Sequence, residues 1–147
     1  MRIEIKKLNV NAAFRWGSEH AVGIDFKATS LSYLDDDTIS YGLGVAIQMP
    51  TGYFGMLVAR SSVISRGLML ANGVGIIDPD YRGELKAVFR VVDKEKSRYV
   101  LGEYVCQLIL IPTSPVRIIS DTVQLSPTVR SVNGFGSSDN PDNPIIN

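Results

Sequence analysis

Five short stretches of the chain set chemically capable side chains beside small residues that leave the backbone open. They are Ala21-Val22-Gly23-Ile24-Asp25-Phe26-Lys27-Ala28, Ala59-Arg60-Ser61-Ser62, Asn72-Gly73-Val74-Gly75-Ile76-Ile77-Asp78-Pro79-Asp80-Tyr81-Arg82-Gly83, Gly102-Glu103-Tyr104-Val105-Cys106-Gln107-Leu108, and the run from Arg130 to Ser138. Arginine and backbone amides of this kind can hold a small anion through charge-assisted hydrogen bonds. Within the last run, Gly134-Phe135-Gly136-Ser137-Ser138 places an aromatic between two glycines beside two hydroxyls. That grouping suits closure over a planar, phosphorylated ligand, although composition alone reads the polar stretch after Ser131 as a loose terminus. Singly, the other stretches have plainer readings as well. Arg60-Ser61-Ser62 reads as a surface turn and Gly23-Ile24-Asp25 as a strand entry.

The remaining inventory excludes several chemistries. His20 and Cys106 each stand alone, so neither a histidine metal trio nor a cysteine zinc cluster can be built. No Gly-x-Ser-x-Gly elbow accompanies His20, which reads as a loop residue before a strand. Gly42-Leu43-Gly44 and Gly73-Val74-Gly75 lack the rest of a phosphate-loop or dinucleotide fingerprint. Asp35-Asp36-Asp37 reads as a solvated acidic turn, because consecutive residues in an extended loop rarely converge on one ion. The 15 basic residues cancel the 15 acidic ones, which argues against polymeric nucleic acid or an anionic membrane as partner. Cys106 lies in an apolar run and reads as a small buried hydrophobe. With no signal-like start and no long apolar stretch, the expectation is a soluble, cytoplasmic protein of cellular, viral or phage origin.

The elements that must position these groups are strands. Residues 2–6, 23–28, 43–49, 53–59, 83–92, 104–111 and 116–119 are short apolar or alternating runs rich in Val, Ile, Tyr and Phe. Turn signals separate them at Met49-Pro50-Thr51-Gly52, in the charged cluster from Asp93 to Arg98, read as a hairpin turn, and at Pro112-Thr113-Ser114-Pro115. About one helical turn is expected near Ser61–Arg66. The 147 residues, 45% apolar and 20% charged, suffice for one domain with a real core. Many short strands at this spacing predict an all-β sandwich or jelly-roll barrel.

In order and spacing, the five stretches together resemble the trimeric dUTPase family, from about Ala21 to Ser138. The resemblance implies a distorted jelly-roll-like β-barrel over residues 1–129, a C-terminal arm over 130–147, and a homotrimer with shared sites. It further implies Mg²⁺-assisted hydrolysis of dUTP to dUMP and pyrophosphate, with water attacking the α-phosphorus. Asp78 matches the aspartate that orients and activates the water, and Pro79 biases it toward extended backbone. Asn72, Gly75 and Ile77 fall in the segment that reads uracil, and Tyr81 matches the tyrosine that packs on deoxyribose. Arg60, Ser61 and Ser62 match the phosphate-binding turn. Asp25 and Gln107 match positions that hold the ion through water, Gln107 also binding substrate. Arg130, Phe135, Gly136, Ser137 and Ser138 match the arm that closes over the nucleotide.

The chain departs from the family pattern at several points. Ala59 replaces a common proline and Glu103-Tyr104 a frequent Asp-Arg, with no expected bearing on the chemistry. Ser131, Asn133 and Asp139 stand where glycine is usual, and residues 139–147 run past the usual end. Two rival readings accompany the main one. A dCTP-deaminase-like enzyme needs a catalytic glutamate after the third stretch, where Leu85-Lys86-Ala87-Val88 supplies none. A nucleotide-gated regulatory binding protein on the same fold would not need the full set Asp25, Arg60, Asp78, Tyr81 and Gln107.

Overall fold

The structure, a computed structural model, describes residues 2–118 and 125–128. Among them are eleven strands and one 3₁₀ helix. The strands are β1 Glu4–Lys7, β2 Phe14–Trp16, β3 Ile24–Lys27, β4 Ser30–Asp35, β5 Thr38–Gly42, β6 Val45–Gln48, β7 Tyr53–Ala59, β8 Leu68–Leu70, β9 Gly75–Ile77, β10 Lys86–Val91 and β11 Tyr104–Pro112; the 3₁₀ helix is Ser61–Arg66. Every pairing is antiparallel. The five-stranded sheet runs β2-β3-β11-β7-β9, the four-stranded sheet β4-β5-β10-β8, and β1 pairs with β6. The result is the expected all-β, jelly-roll-like architecture. Residues 1–114 form one compact unit and hold all of these elements, and residues 115–147 form a second. No helix among the described residues is long and apolar enough to cross a membrane.

Alternation builds the core. In β10, Ala87 and Phe89 point inward while Lys86 and Arg90 stay exposed. Phe26, Tyr41, Leu43, Val45, Leu85, Val105, Cys106 and Leu108 join them in one buried cluster, each large apolar side chain contributing about 1.5–3 kcal/mol. Tyr41 and Phe89 meet edge to face at 5.8 Å, and Tyr99 completes an aromatic trio. Tyr41 Oη donates to the Tyr99 carbonyl at 3.0 Å, which satisfies a hydroxyl deep in the core. Burial raises the Tyr41 phenol to about 12. It also raises the Cys106 thiol, with the nearby Asp25 charge adding to the effect. Cys106 is thus the inert hydrophobe its run suggested.

Several expectations are corrected. The cluster after Asp93 is a turn, with Asp93 Oδ1 accepting from the Glu95 amide at 3.0 Å. It is not a hairpin, because β10 and β11 belong to different sheets. Residues 116–118 are not strand, and the next residues are outside those described. The acidic run does form the β4–β5 turn, where the Asp37 amide donates to Asp35 Oδ1 at 2.9 Å and lowers that carboxyl's pKa. His20 is exposed, in a turn closed by the Ala21 amide on the Ser18 carbonyl.

Candidate active site

The register of the five-stranded sheet places the first polar cluster. Arg15 lies opposite Asp25 in the β2–β3 pair, Asp25 opposite Gln107 in β3–β11, and Gln107 opposite Val58 in β11–β7. Facing partners share one side of a sheet, so Arg15, Asp25 and Gln107 form a continuous row. Arg60, two residues beyond Val58, continues that face by alternation. Asp25 is 6% exposed and is matched by cations. Arg60 Nε stands 3.1 Å from its Oδ1, and Arg15 Nε stands 3.9 Å from its Oδ2. A nearly buried carboxylate without such partners would be strongly destabilising.

Gln107 Nε2 donates to the Ala59 carbonyl at 3.2 Å. Its Oε1 lies over Gly23, where any Cβ would collide with it. Glycine at 23 thus leaves room for the Gln107 amide in this position and is not set by an unusual φ. A bulge between Tyr104 and Cys106 in the β3–β11 pair lets consecutive residues Val105 and Cys106 both enter the core. The same irregularity precedes Gln107 and returns it to the polar face.

Arg60, Ser61 and Ser62 enter the 3₁₀ helix from the end of β7. Arg60 Nη1 donates to the Tyr104 carbonyl at 3.0 Å, and its guanidinium lies 5.8 Å from the Tyr104 ring, which Arg15 covers at 4.2 Å and Lys27 at 5.2 Å. Glu103 Oε1 accepts from Arg66 Nη2 at 2.6 Å. Both members of the Glu103-Tyr104 pair therefore touch the site's arginines or its turn. Arg15 also went unassigned. Its signal was faint, a three-residue strand with every position exposed.

The third stretch follows β8. The Gly73 amide donates to the Leu70 carbonyl at 3.0 Å, and Gly73 takes φ +67, a left-handed turn suited to glycine. This turn is not a ladder-bonded hairpin, since β8 pairs with β10 and β9 with β7. Asn72 is exposed, its Nδ2 close to Gly75, which is buried against Leu57; Ile77 is partly buried. Asp78 is exposed, and its carboxylate makes no hydrogen bond or ion pair among the described residues. The loop behind it is well tied: the Tyr81 amide donates to the Asp78 carbonyl at 3.1 Å, and Tyr81 Oη to the Glu84 carbonyl at 3.0 Å. Asp78 and Tyr81 border a cleft of about 210 Å³ with Ile76, Ile77, Glu84 and Lys86. Leu85, in the stretch where a deaminase would need its glutamate, is fully buried in the core.

The two clusters stand apart. Ile77 pairs with Gly55, five residues before Arg60 on β7, which is about 17 Å at ~3.4 Å per residue. Arg130, Phe135, Gly136, Ser137 and Ser138, with the expected arm 130–147, lie outside the described residues.

No group of three or more His, Cys, Asp or Glu suited to hold a metal occurs among the described residues. The donors present are hard oxygens: the Asp25 carboxylate and Gln107 Oε1. They fit an ion that keeps its water and takes its other ligands from a substrate's phosphates, as Mg²⁺ does.

A family model described as dUTPase matches residues 11–139. The deoxyuridine 5'-triphosphate nucleotidohydrolase of Escherichia phage T5 is 33% identical, over 92% of this chain and 97% of its own length. That of Hydrogenobaculum sp. (strain Y04AAS1) is 30% identical, over 94% and 98%. Among solved structures, a Staphylococcus bacteriophage 80alpha dUTPase G164S mutant with dUpNHpp superposes with a TM-score of 0.76 at 24% identity, covering 93% of this chain and 98% of that one. The dUTPase from Streptococcus mutans does so with 0.68 at 26% identity, covering 78% and 98%. Matched over most of its length by family model and relatives alike, the chain belongs to the dUTPase family.

Proposed function

We propose that this chain hydrolyses dUTP to dUMP and pyrophosphate, removing dUTP and supplying dUMP for thymidylate synthesis, as a cytoplasmic homotrimer with Mg²⁺. The observation that carries the reading is the Arg15–Asp25–Gln107 row with Arg60 at its end. It is a nearly buried carboxylate and two arginines on a sheet whose other face is core. Such a face suits a triphosphate and its hydrated ion.

Arg60, with Ser61 and Ser62, grips the phosphates through charge-assisted bonds that strengthen as charge builds on the leaving pyrophosphate. Asp25 and Gln107 hold waters of the ion. Dependence on a divalent metal is characteristic of dUTPases, and bound Mg²⁺ supplies neutralisation of triphosphate charge. Asp78 accepts a hydrogen bond from the attacking water. As the water oxygen bonds to the α-phosphorus, the bond to the bridging oxygen of pyrophosphate breaks, and the proton passes toward Asp78. Asp78 works here chiefly by orienting the water.

Asn72, Gly75 and Ile77 offer the edge that reads uracil, where a mismatched base leaves buried groups unpaired. Tyr81, pinned by its bond to Glu84, packs on deoxyribose and excludes a 2′-hydroxyl. Arg130, Phe135, Gly136, Ser137 and Ser138 close over the base and γ-phosphate. The span of about 17 Å from the Ile77–Gly55 pair to Arg60 at strand spacing favours Asp78 and Arg60 of different chains serving one triphosphate. A second copy then supplies Asp78 to the Arg60 cluster, and closed three-fold symmetry makes all sites equal. A pyrophosphate-release panel with dUTP, dCTP, dTTP and UTP tests the reading. Strong preference for dUTP is expected, and equal turnover of UTP would remove Tyr81 from its role.

A further inference from the structure

The 3₁₀ helix Ser61–Arg66 contains no buried residue, and only Val63 leans on the core from it. Apolar burial therefore cannot fix where Ser61 and Ser62 sit. Polar ties do so. At the entry, Arg60 is held by Asp25 and the Tyr104 carbonyl. In the middle, Ser62 Oγ and Tyr99 Oη share a hydrogen bond of 2.8 Å. With the phenol as donor, the Ser62 hydrogen is left for a ligand oxygen. At the exit, Arg66 Nη2 meets Glu103 Oε1 at 2.6 Å, Arg66 Nη1 donates to the Arg98 carbonyl at 3.2 Å, and the guanidinium lies 5.0 Å from the Tyr99 ring. Arg98 returns a bond to the Arg66 carbonyl at 3.2 Å.

Apart from the bond to Asp25, all these ties land on residues 98–104, which run directly into β11 and Gln107. That strip is itself anchored. Tyr99 is 2% exposed, packs against Tyr41 and Phe89 at 6.2 Å each, and accepts from Tyr41 Oη. Glu103 Oε2 accepts from the Val100 amide at 2.8 Å, so its carboxylate bridges the strip and the turn.

We propose that Tyr99 and Glu103 are positioning residues that clamp the Ser61–Ser62 turn to the strip leading into Gln107, so that the phosphate-binding groups move as one preset unit. The inference rests on the reading of Arg60, Ser61, Ser62 and Gln107 as triphosphate-binding. Neither residue touches substrate; each acts through Ser62 or Arg66.

The test compares Tyr99→Phe, Glu103→Ala and Glu103→Gln in the full-length protein. Amide hydrogen exchange across residues 61–66 reads the clamp, and kcat and KM for dUTP read its consequence. Tyr99→Phe removes one hydroxyl and keeps the aromatic trio, so the melting temperature should fall by only a few degrees and the fold should hold. Exchange in the turn should quicken and kcat/KM fall, each about fivefold, the usual effect of one hydrogen bond. Glu103→Ala should lower kcat/KM about tenfold or more, as a charge-assisted bond is lost, and Glu103→Gln, which keeps an acceptor for Arg66, should fall between. Unchanged exchange in the turn overturns the clamp. So does quickened exchange with wild-type kcat and KM. A wild-type protein that released no pyrophosphate from dUTP would sink the substrate reading instead, while exchange still decided whether the clamp exists.

Discussion

Two variants that are each nearly inactive should restore one another when mixed. Arg60→Lys keeps a cation beside the nearly buried Asp25 but loses the planar fork that holds a phosphate on two sides. Asp78→Asn keeps the shape of an exposed side chain and loses the charge that orients water, a loss of roughly 10² or more in turnover. Ile77, beside Asp78, pairs with Gly55, which lies about 17 Å from Arg60 along β7 at strand spacing, a span that favours a site shared between chains. If each site joins Arg60 of one chain to Asp78 of a neighbour, random assembly from equal amounts makes each partner intact with a chance of one half. About one quarter of all sites are then complete. The variants are unfolded together in denaturant, refolded as a mixture, and assayed for pyrophosphate release from dUTP at saturation. About one quarter of wild-type turnover is expected, against roughly one hundredth for Asp78→Asn alone and a low residual turnover for Arg60→Lys alone. A refolded mixture that contains mixed trimers and yet is no more active than its parents would refute the shared site.

Three further outcomes are expected. Truncation after Arg130 should collapse kcat even at saturating dUTP if, as proposed, the arm closes and aligns the α-phosphorus with the water; wild-type kcat in the truncated enzyme would remove Phe135, Gly136, Ser137 and Ser138 from the mechanism. Gly23→Ala should displace the Gln107 amide, whose oxygen occupies the space of the new Cβ, and should weaken metal activation; a Mg²⁺ titration of activity shows a rightward shift, and an unshifted curve would free Gln107 from its role. Alkaline pH should destabilise the fold. The Cys106 thiol and the Tyr41 phenol are both raised by burial, so the folded state keeps protons that the unfolded state releases. Their stabilisation is complete below about pH 8.5, is lost above it at up to ~1.4 kcal/mol per pH unit from the thiol, and falls further between about 10 and 12 as the unfolded phenol ionises. Denaturant midpoints from pH 7 to 11 measure this, and Cys106→Ala should flatten the first part; an unchanged slope would show that the thiol does not carry it.

The long, regular strands were legible in the sequence because burial and alternation coincide in them. β7 matches residues 53–59 at both ends, and β11 runs one residue past its expected limit. The strands that escaped notice obey weaker signals. β5 buries the polar Thr38 and Ser40 as well as its apolar residues, β4 is mostly exposed, and β2, β8 and β9 have three residues each, too few to show a period. The candidate site residues come from the order and spacing that resemble the family, yet spacing along a chain carries no distances. Only the β3–β11 and β2–β3 registers reveal that Asp25 faces Gln107 and Arg15. The roles of Tyr99 and Glu103 were invisible for the same reason: their partners Ser62 and Arg66 are 37 positions away.

The row of Arg15, Asp25 and Gln107 also bears on how the sheet finds its alignment. Side chains on a strand alternate faces, so sliding β3 by one position against β2 and β11 would turn Asp25 toward the core and Phe26 toward solvent. In the native alignment Asp25 has cations within reach and Phe26 has none of its surface exposed; in the slipped one a bare carboxylate sits among hydrocarbon side chains, which is prohibitively unfavourable. The same three residues thereby serve as registration marks, ruling out the misthreaded sheets that short strands otherwise permit. Assembly fidelity is thus written into the same line of side chains as the proposed chemistry, and a substitution there is expected to lower the yield of correctly folded chains.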